Sequence, residues 1–77
     1  MVTAQKLRAA RALLGWTQDD LAERSGVSKP TIARMELTEG ESGYPATRDK
    51  LRACLQAEGI IFLNGDEPGV KLRRKRK

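Results

Sequence analysis

Apolar residues recur at helical spacing through the first three-quarters of the chain, and glycines or polar residues divide them into four segments. The pattern predicts helices over about residues 4–14, 18–25, 29–38 and 48–58. A Ser or Thr stands at each predicted start, where its side-chain oxygen can accept from a free backbone N–H of the first turn. These capping residues are Thr3, Thr17, Ser28 and Thr47.

The second and third predicted helices are joined by a short turn that suits two crossed helices. Gly26 can adopt the left-handed conformation that ends a helix and reverses the chain, and Ala22 is small where the third helix must approach. The apolar residues between the two helices are Leu21, Val27, Ile32 and Met35. The opposite face of the third helix carries Lys29, Pro30, Thr31, Ala33 and Arg34. We expect that face to be exposed.

After the fourth helix the pattern changes to that of strands. Ile60–Leu63 is β-branched and aromatic, residues 64–69 are rich in turn formers, and Val70–Arg73 alternates apolar with charged residues. We predict a β-hairpin with a long connection, because a tight turn at Asn64-Gly65 would place Pro68 inside the return strand. An isolated hairpin is marginal in water, so this one must pack on the helices, on a second subunit or on both.

The segment TQDDLAERSGVSKPTIARMEL, residues 17–37, carries a recurrent motif. Its elements are Gln18, Leu21-Ala22, Gly26-Val27-Ser28, Thr31-Ile32 and Glu36. In these positions the chain resembles the helix-turn-helix of the Cro/phage-repressor, or lambda-repressor-like, family of bacterial DNA-binding transcriptional regulators. The resemblance covers about residues 3–58. It implies that the third helix enters the major groove of double-stranded DNA.

The predicted fold is mainly α: a four-helix, repressor-like helix-turn-helix domain with a C-terminal β-hairpin in place of the family's usual last helix. We expect a helix-turn-helix domain over residues 1–58, a hairpin that serves as a dimerisation element over 59–73, and a basic tail over 74–77. An edge strand has unpaired backbone groups that a symmetry mate can pair. The side chains assigned to this homodimer interface are Ile60, Ile61, Phe62, Leu63, Val70 and Leu72.

The net charge of +5 comes from the C-terminal end. Residues 1–70 hold nine basic and ten acidic residues, whereas KLRRKRK, residues 71–77, holds six basic residues. These charges could lie along phosphates or in a minor groove, bind RNA or an acidic protein, or keep the chain soluble. The tail residues assigned to DNA contact are Arg73, Arg74, Lys75, Arg76 and Lys77.

Candidate base contacts lie on the exposed side of the third helix. Lys29 and Arg34 can donate to guanine O6 and N7, and Pro30 can offer its ring to a thymine methyl group or simply stiffen the first turn. The alternative for this set is a solvated helix face. The resemblance further implies that Ser28 and Thr31 touch phosphate or neighbouring bases, and that Gln18 binds phosphate at a helix N-terminus.

The resemblance also implies backbone contacts near the fourth helix and an ion pair elsewhere. Tyr44, Arg48 and Lys50 correspond to positions beside the DNA backbone, although Glu39 and Glu41 argue against the whole preceding loop facing DNA. Arg11 and Glu36 match charged positions that pair between the first and third helices, and we assign them to structure. Such a pair, once partly buried, is costly to break.

The sequence disfavours catalysis and cofactor binding. It has no histidine and one cysteine, Cys54, so it predicts neither a metal site nor an internal disulfide. It has no Gly-rich phosphate loop, and the adjacent Asp19-Asp20 suit the first turn of a helix. With no apolar run of about 20 residues and no secretory signal, we expect a cytoplasmic protein that is not an enzyme and binds neither cofactor nor membrane.

Two functions remain on the sequence alone. The first is a sequence-specific transcriptional regulator, a homodimeric repressor that reads an inverted repeat, since one helix reads too few base pairs to find a genomic site. The second is an antitoxin-like module that binds DNA and also engages an acidic protein partner through the hairpin or the tail.

Overall fold

The computed structural model describes residues 2–37, 45–64 and 66–73. These residues form four helices and one two-stranded antiparallel sheet. The elements are α1 Ala4–Leu14, α2 Gln18–Ser25, α3 Lys29–Leu37, α4 Pro45–Ala57, β1 Ile60–Leu63 and β2 Gly69–Leu72. The predicted mainly helical fold with a C-terminal hairpin is confirmed.

Side-chain caps start the first two helices at the predicted residues. The Thr3 hydroxyl accepts from the Lys6 backbone N–H at 3.2 Å at the start of α1. At the start of α2, Thr17 and Asp20 form a reciprocal capping box, in which each side chain accepts from the other residue's backbone N–H. Gly26 then ends α2 at φ 78°, in the left-handed conformation that the turn requires.

The fourth helix begins earlier than predicted. It starts at Pro45, so Thr47 is the third residue of α4 and not its N-cap. Proline is well suited to the first position of a helix, because its ring fixes a helical φ and its missing N–H would have no partner inside the helix. Residues 38–44, between α3 and α4, lie outside the described residues.

One apolar core joins all four helices to the hairpin. Its largest fully buried side chains are Leu7, Leu21, Ile32, Leu51, Leu55 and Ile60. Phe62, Val70 and Leu72 pack against this core from the strands, β2 along α1 and β1 along α4. The hairpin therefore packs on the helices of its own chain, which was one of the predicted arrangements.

The strand register fixes two faces of the hairpin. Ile60 is opposite Leu72, Phe62 opposite Val70, and Ile61 opposite Lys71. Because successive strand side chains point to opposite faces, the first two pairs face the helices and the third faces away. The connection spans residues 64–68 and leaves Pro68 outside β2, as expected for the longer loop.

Candidate nucleic-acid interface

The orientation of α3 is fixed by apolar residues on its inner side and in the turn before it. Ile32 is fully buried, and Met35 and Val27 are 3% and 7% exposed. They pack with Leu21 of α2 in the same core. An α3 rotated about its axis would expose these side chains, so the core determines which face of α3 points outward.

The outward side of α3 carries most of the predicted base contacts. Lys29, Pro30 and Arg34 are exposed, whereas Thr31 and Ala33 are half-buried. We refer to Lys29, Pro30 and Arg34 as the α3 outer face. Their chemistry, two cationic donors and one apolar ring, suits guanine edges and thymine methyl groups.

The start of α3 is organised by a bond between two hydroxyls. The Ser28 Oγ lies 2.8 Å from the Thr31 Oγ1, and either hydroxyl can donate. Ser28, the residue immediately before α3, is exposed. Both hydroxyls are thus held together at the N-terminus of α3, where backbone N–H groups and the helix dipole favour an anion.

Lys29 is engaged in an exposed ion pair. Its Nζ lies 3.2 Å from Oδ1 and 3.3 Å from Oδ2 of Asp19, the second residue of α2. The Lys29 side chain is 53% exposed and that of Asp19 is 73% exposed. A pair this exposed contributes little to folding. Its importance lies in its position, because it joins the N-terminal ends of the two helices beside the α3 outer face.

A half-buried ion pair ties α1 to the end of α3. Arg11 Nε and Nη2 each donate to Glu36, to Oε2 and Oε1 respectively, both at 2.7 Å. The Glu36 side chain is 3% exposed and that of Arg11 19%. Arg11 Nη1 also donates to the Trp16 carbonyl at 3.0 Å, so the guanidinium spans the α1–α2 turn as well.

The Glu36 carboxylate also accepts a hydrogen bond from a third helix, α2. Gln18 Nε2, at the first residue of α2, donates to Glu36 Oε1 at 3.1 Å, and Arg8 donates to the Glu36 backbone carbonyl. Glu36 therefore connects α1, α2 and α3. Because the bond uses one of two amide N–H groups of Gln18, its predicted phosphate contact stays a prediction.

The pKa values of the pair reflect this environment. Burial acts to raise the pKa of the Glu36 carboxyl, but the hydrogen bonds from Arg11 and Gln18 and the nearby positive charges outweigh it and hold that pKa below its ordinary value. For Arg11, the hydrogen bond to Glu36 outweighs burial and raises the pKa. Both groups are charged at neutral pH.

The remaining predicted DNA contacts fall in three places. On α4, Arg48 is half-buried and Lys50 is exposed. Arg73 is exposed just after β2, and its backbone N–H donates to the Gly59 carbonyl at 2.8 Å. Tyr44 and residues 74–77 lie outside the described residues.

The predicted dimer residues divide between the core and the outer face of the hairpin. Ile60 is 2% exposed, and Phe62 is half-buried against the core together with Val70 and Leu72. Ile61 is half-buried and Leu63 is 36% exposed. Of the six, Ile61 and Leu63 have side chains on the face turned away from the helices.

The contacts of this region that escaped sequence reasoning include the pair Asp19–Lys29 and the bond from Gln18 to Glu36. Their members are 10 and 18 residues apart and lie on different helices. No local spacing rule connects such positions. The capping signals that define the turn were the only indirect indication that the start of α2 and both ends of α3 would come close.

Neither a membrane span nor a metal cluster is evident in the part of the chain that the structure describes. Its helices lack the length and apolar character needed to cross a bilayer. The described residues also contain no group of three or more His, Cys, Asp or Glu side chains arranged for a metal ion. Cys54 is half-buried, and burial raises the pKa of its thiol.

Comparison with known families agrees with this geometry. Residues 7–39 match the family model described as helix-turn-helix. The match includes α2, the turn at Gly26, α3, and both members of the pair Arg11–Glu36. It covers less than half of the 77 residues and leaves out α4 and the hairpin. No curated protein matches the chain.

Proposed function

We propose that this chain is a sequence-specific homodimeric repressor that reads an inverted repeat. Its residues 7–39 form a helix-turn-helix of the lambda-repressor-like, Cro/C1-type family of DNA-binding transcription regulators. The observation that carries the proposal is the division of α3 into two sides. Its inner side is locked into the core by Ile32 and Met35, and its outer face presents Lys29 and Arg34. A helix held this way can enter a major groove without rearrangement of the protein.

The contacts divide into those that read bases and those that hold the backbone. Lys29 and Arg34 donate to guanine O6 and N7, and Pro30 packs on a thymine methyl group. Phosphates are bound at the helix N-termini and along α4 and the tail. The residues proposed for that role are Gln18, Ser28, Thr31, Tyr44, Arg48, Lys50, Arg73, Arg74, Lys75, Arg76 and Lys77.

Dimerisation is proposed because one helix reads only a few base pairs. A two-fold pair of α3 helices about 34 Å apart would read two half-sites on the same face of the duplex. The hairpin supports this step. The Arg73 N–H donates to the Gly59 carbonyl, so these two residues form a hydrogen-bonded pair between the strands. Hydrogen-bonded and non-hydrogen-bonded pairs alternate in an antiparallel sheet, so the backbone N–H and C=O groups of Ile60 and Phe62 point away from β2. A symmetry-related strand could pair with that edge.

The test is selection of bound sites from random duplex DNA with the purified chain. We expect the selected pool to contain an inverted repeat whose half-sites are about one helical turn apart. Lys29→Ala and Arg34→Ala should each relax the preference at particular base positions. Arg52→Ala, which removes a cation from an exposed ion pair on α4, is the charge-matched control and should leave the preferred sequence unchanged.

Three outcomes would argue against parts of the proposal. A pool with no preferred sequence would remove sequence-specific reading. Uniform weakening across all sequences in the two α3 variants would make Lys29 and Arg34 phosphate contacts. Sedimentation of a monomer only, at micromolar concentration and on the selected site, would remove the homodimer.

The alternative is an antitoxin-like module that binds DNA and an acidic protein. The outer face of the hairpin favours it, because Ile61 and Leu63 share that face and Ile61 lies opposite the basic residue Lys71. An apolar centre with a polar rim is typical of a protein-binding patch. Specific co-purification of a small acidic protein, lost in Leu63→Asp but kept in Lys29→Ala, would support this function.

A further inference from the structure

The N-terminal turn of α2 carries two adjacent carboxylates, and their roles differ. Asp20 belongs to the capping box, where it accepts the Thr17 backbone N–H at 2.9 Å. Asp19 is not part of that box, and its carboxylate instead contacts the Lys29 ammonium across the turn. Asp20 completes the capping box with Thr17, so Asp19 contributes to the start of α2 only through the helix dipole.

The position of Asp19 is electrostatically unfavourable for a protein that binds DNA phosphates. It follows Gln18, the residue proposed to bind phosphate at the α2 N-terminus, and its side chain is 73% exposed. A carboxylate there repels the backbone it should approach. A compensating effect on Lys29 would account for its presence.

The ion pair between Asp19 and Lys29 permits a contact from Lys29 to a base edge but disfavours a contact to a phosphate. The Lys29 ammonium has three donors, so it can keep its bond to Asp19 and still donate to guanine O6 or N7, which are neutral acceptors. A phosphate is an anion and would have to approach the Asp19 carboxylate closely to share the same ammonium. Without Asp19, the flexible lysine stem would let Lys29 bind any phosphate within reach.

We infer that Asp19 is a specificity-determining positioning residue, and this inference rests on the proposed function. Its carboxylate holds Lys29 for base edges and discourages its use as a sequence-independent phosphate contact. Asp19 therefore lowers binding to non-cognate DNA more than it lowers binding to the cognate site.

The experiment compares the full chain with Asp19→Asn on two duplexes, the selected site and a scrambled one of equal length, over a range of salt concentrations. We expect Asp19→Asn to bind the scrambled duplex roughly 3- to 10-fold more tightly, while affinity for the selected site changes by less than about 2-fold. On the scrambled duplex, the plot of log affinity against log salt should steepen by about 0.9, as expected for one added phosphate contact.

Two controls separate this role from general charge repulsion. In a Lys29→Ala background, Asp19→Asn should not steepen the salt dependence, because the lysine that would make the new contact is gone. Asp49→Asn removes a carboxylate from another exposed pair with a 3.2 Å contact, Asp49–Arg52 on α4, and should leave the ratio of the two affinities unchanged. Thermal melting of each variant confirms that the fold is intact.

The inference fails if the affinity ratio in Asp19→Asn equals that of the parent chain, or if the steepening persists in the Lys29→Ala background. Either result leaves the proposed regulator in place, because the parent chain still selects a sequence. If the parent chain selects no sequence at all, the proposed function fails first and the role of Asp19 fails with it.

Discussion

Glu36 joins three helices through polar contacts outside the apolar core. Its carboxylate accepts from Arg11 and Gln18, and the end of α3 is thereby joined to both preceding helices. In the described part of the chain, no buried side-chain nitrogen or oxygen is left without a hydrogen-bond partner. The network is fully satisfied, so loss of one member leaves polar groups without partners.

Removal of the Glu36 carboxylate should destabilise the protein strongly. We expect Glu36→Ala to lower the free energy of unfolding by about 3 kcal/mol, near the lower end for a buried pair because Arg11 keeps some access to water. Chemical denaturation measures this. Asp49→Ala, which breaks the exposed pair with Arg52, should change stability by less than about 1 kcal/mol. Equal stability of Glu36→Ala and the parent chain would contradict the structural role.

The lowered pKa of Glu36 also predicts an acid dependence with a definite sign. A carboxyl whose pKa is lower in the folded state stabilises the fold at pH values above its unfolded pKa, about 4.3 for Glu. That stabilisation is lost as pH falls through the folded value. We expect the stability difference between the parent chain and Glu36→Gln to be constant near pH 7 and to shrink below about pH 4. Denaturation curves at several pH values test this, and a difference that grows on acidification would contradict it.

At the scale of elements, sequence reasoning succeeded where local chemistry decides and failed where it does not. The bounds of α1 and α2 followed from Thr3, Thr17 and Gly26, because caps and left-handed glycines act within one turn. The start of α4 was placed too late, because Thr47 offered a plausible cap. The packing partner of the hairpin stayed open, since a continuous apolar run does not show which surface covers it.

The requirement for Gly26 is conformational and not steric. A Cβ built there meets nothing within 4 Å, so crowding by neighbouring atoms does not require a glycine at this position. The strain of φ 78° remains. We expect Gly26→Ala to cost about 1–2 kcal/mol and Gly26→Asn clearly less, because Asn tolerates the left-handed region better. Denaturation of both variants tests this, and identical losses would point to a contact instead.

At the scale of the whole molecule, the hairpin and the helices share one apolar core. Ile60 of β1 is buried in the same core as Leu7 of α1, Leu51 and Leu55 of α4, and Ile32 of α3. A 77-residue chain buries only a modest fraction of its unfolded surface, so each such contribution matters. The predicted division at residue 58 marks a change of element and of proposed role, while the core runs across it.

This shared core predicts a contrast between two neighbouring positions. We expect Ile60→Ala to lower the free energy of unfolding by about 2–5 kcal/mol, the usual cost of truncating a buried aliphatic side chain. Leu63→Ala, on the outer face at 36% exposure, should cost much less in the monomer. Denaturation at low protein concentration, where a dimer would dissociate, makes the comparison. Similar losses at both positions would contradict the outward position of Leu63 in the monomer.

The two sides of α3 have separate roles: the inner side holds the helix in the fold, and the outer side is proposed to read DNA. Ile32, Met35 and Glu36 hold the helix from within, while Lys29, Pro30 and Arg34 take no part in the apolar core. Randomising those three outward positions should therefore yield a library of folded proteins in which a new operator preference is obtained by selection alone. Under the proposed function, the scaffold could be retargeted to other promoters without redesign of its interior.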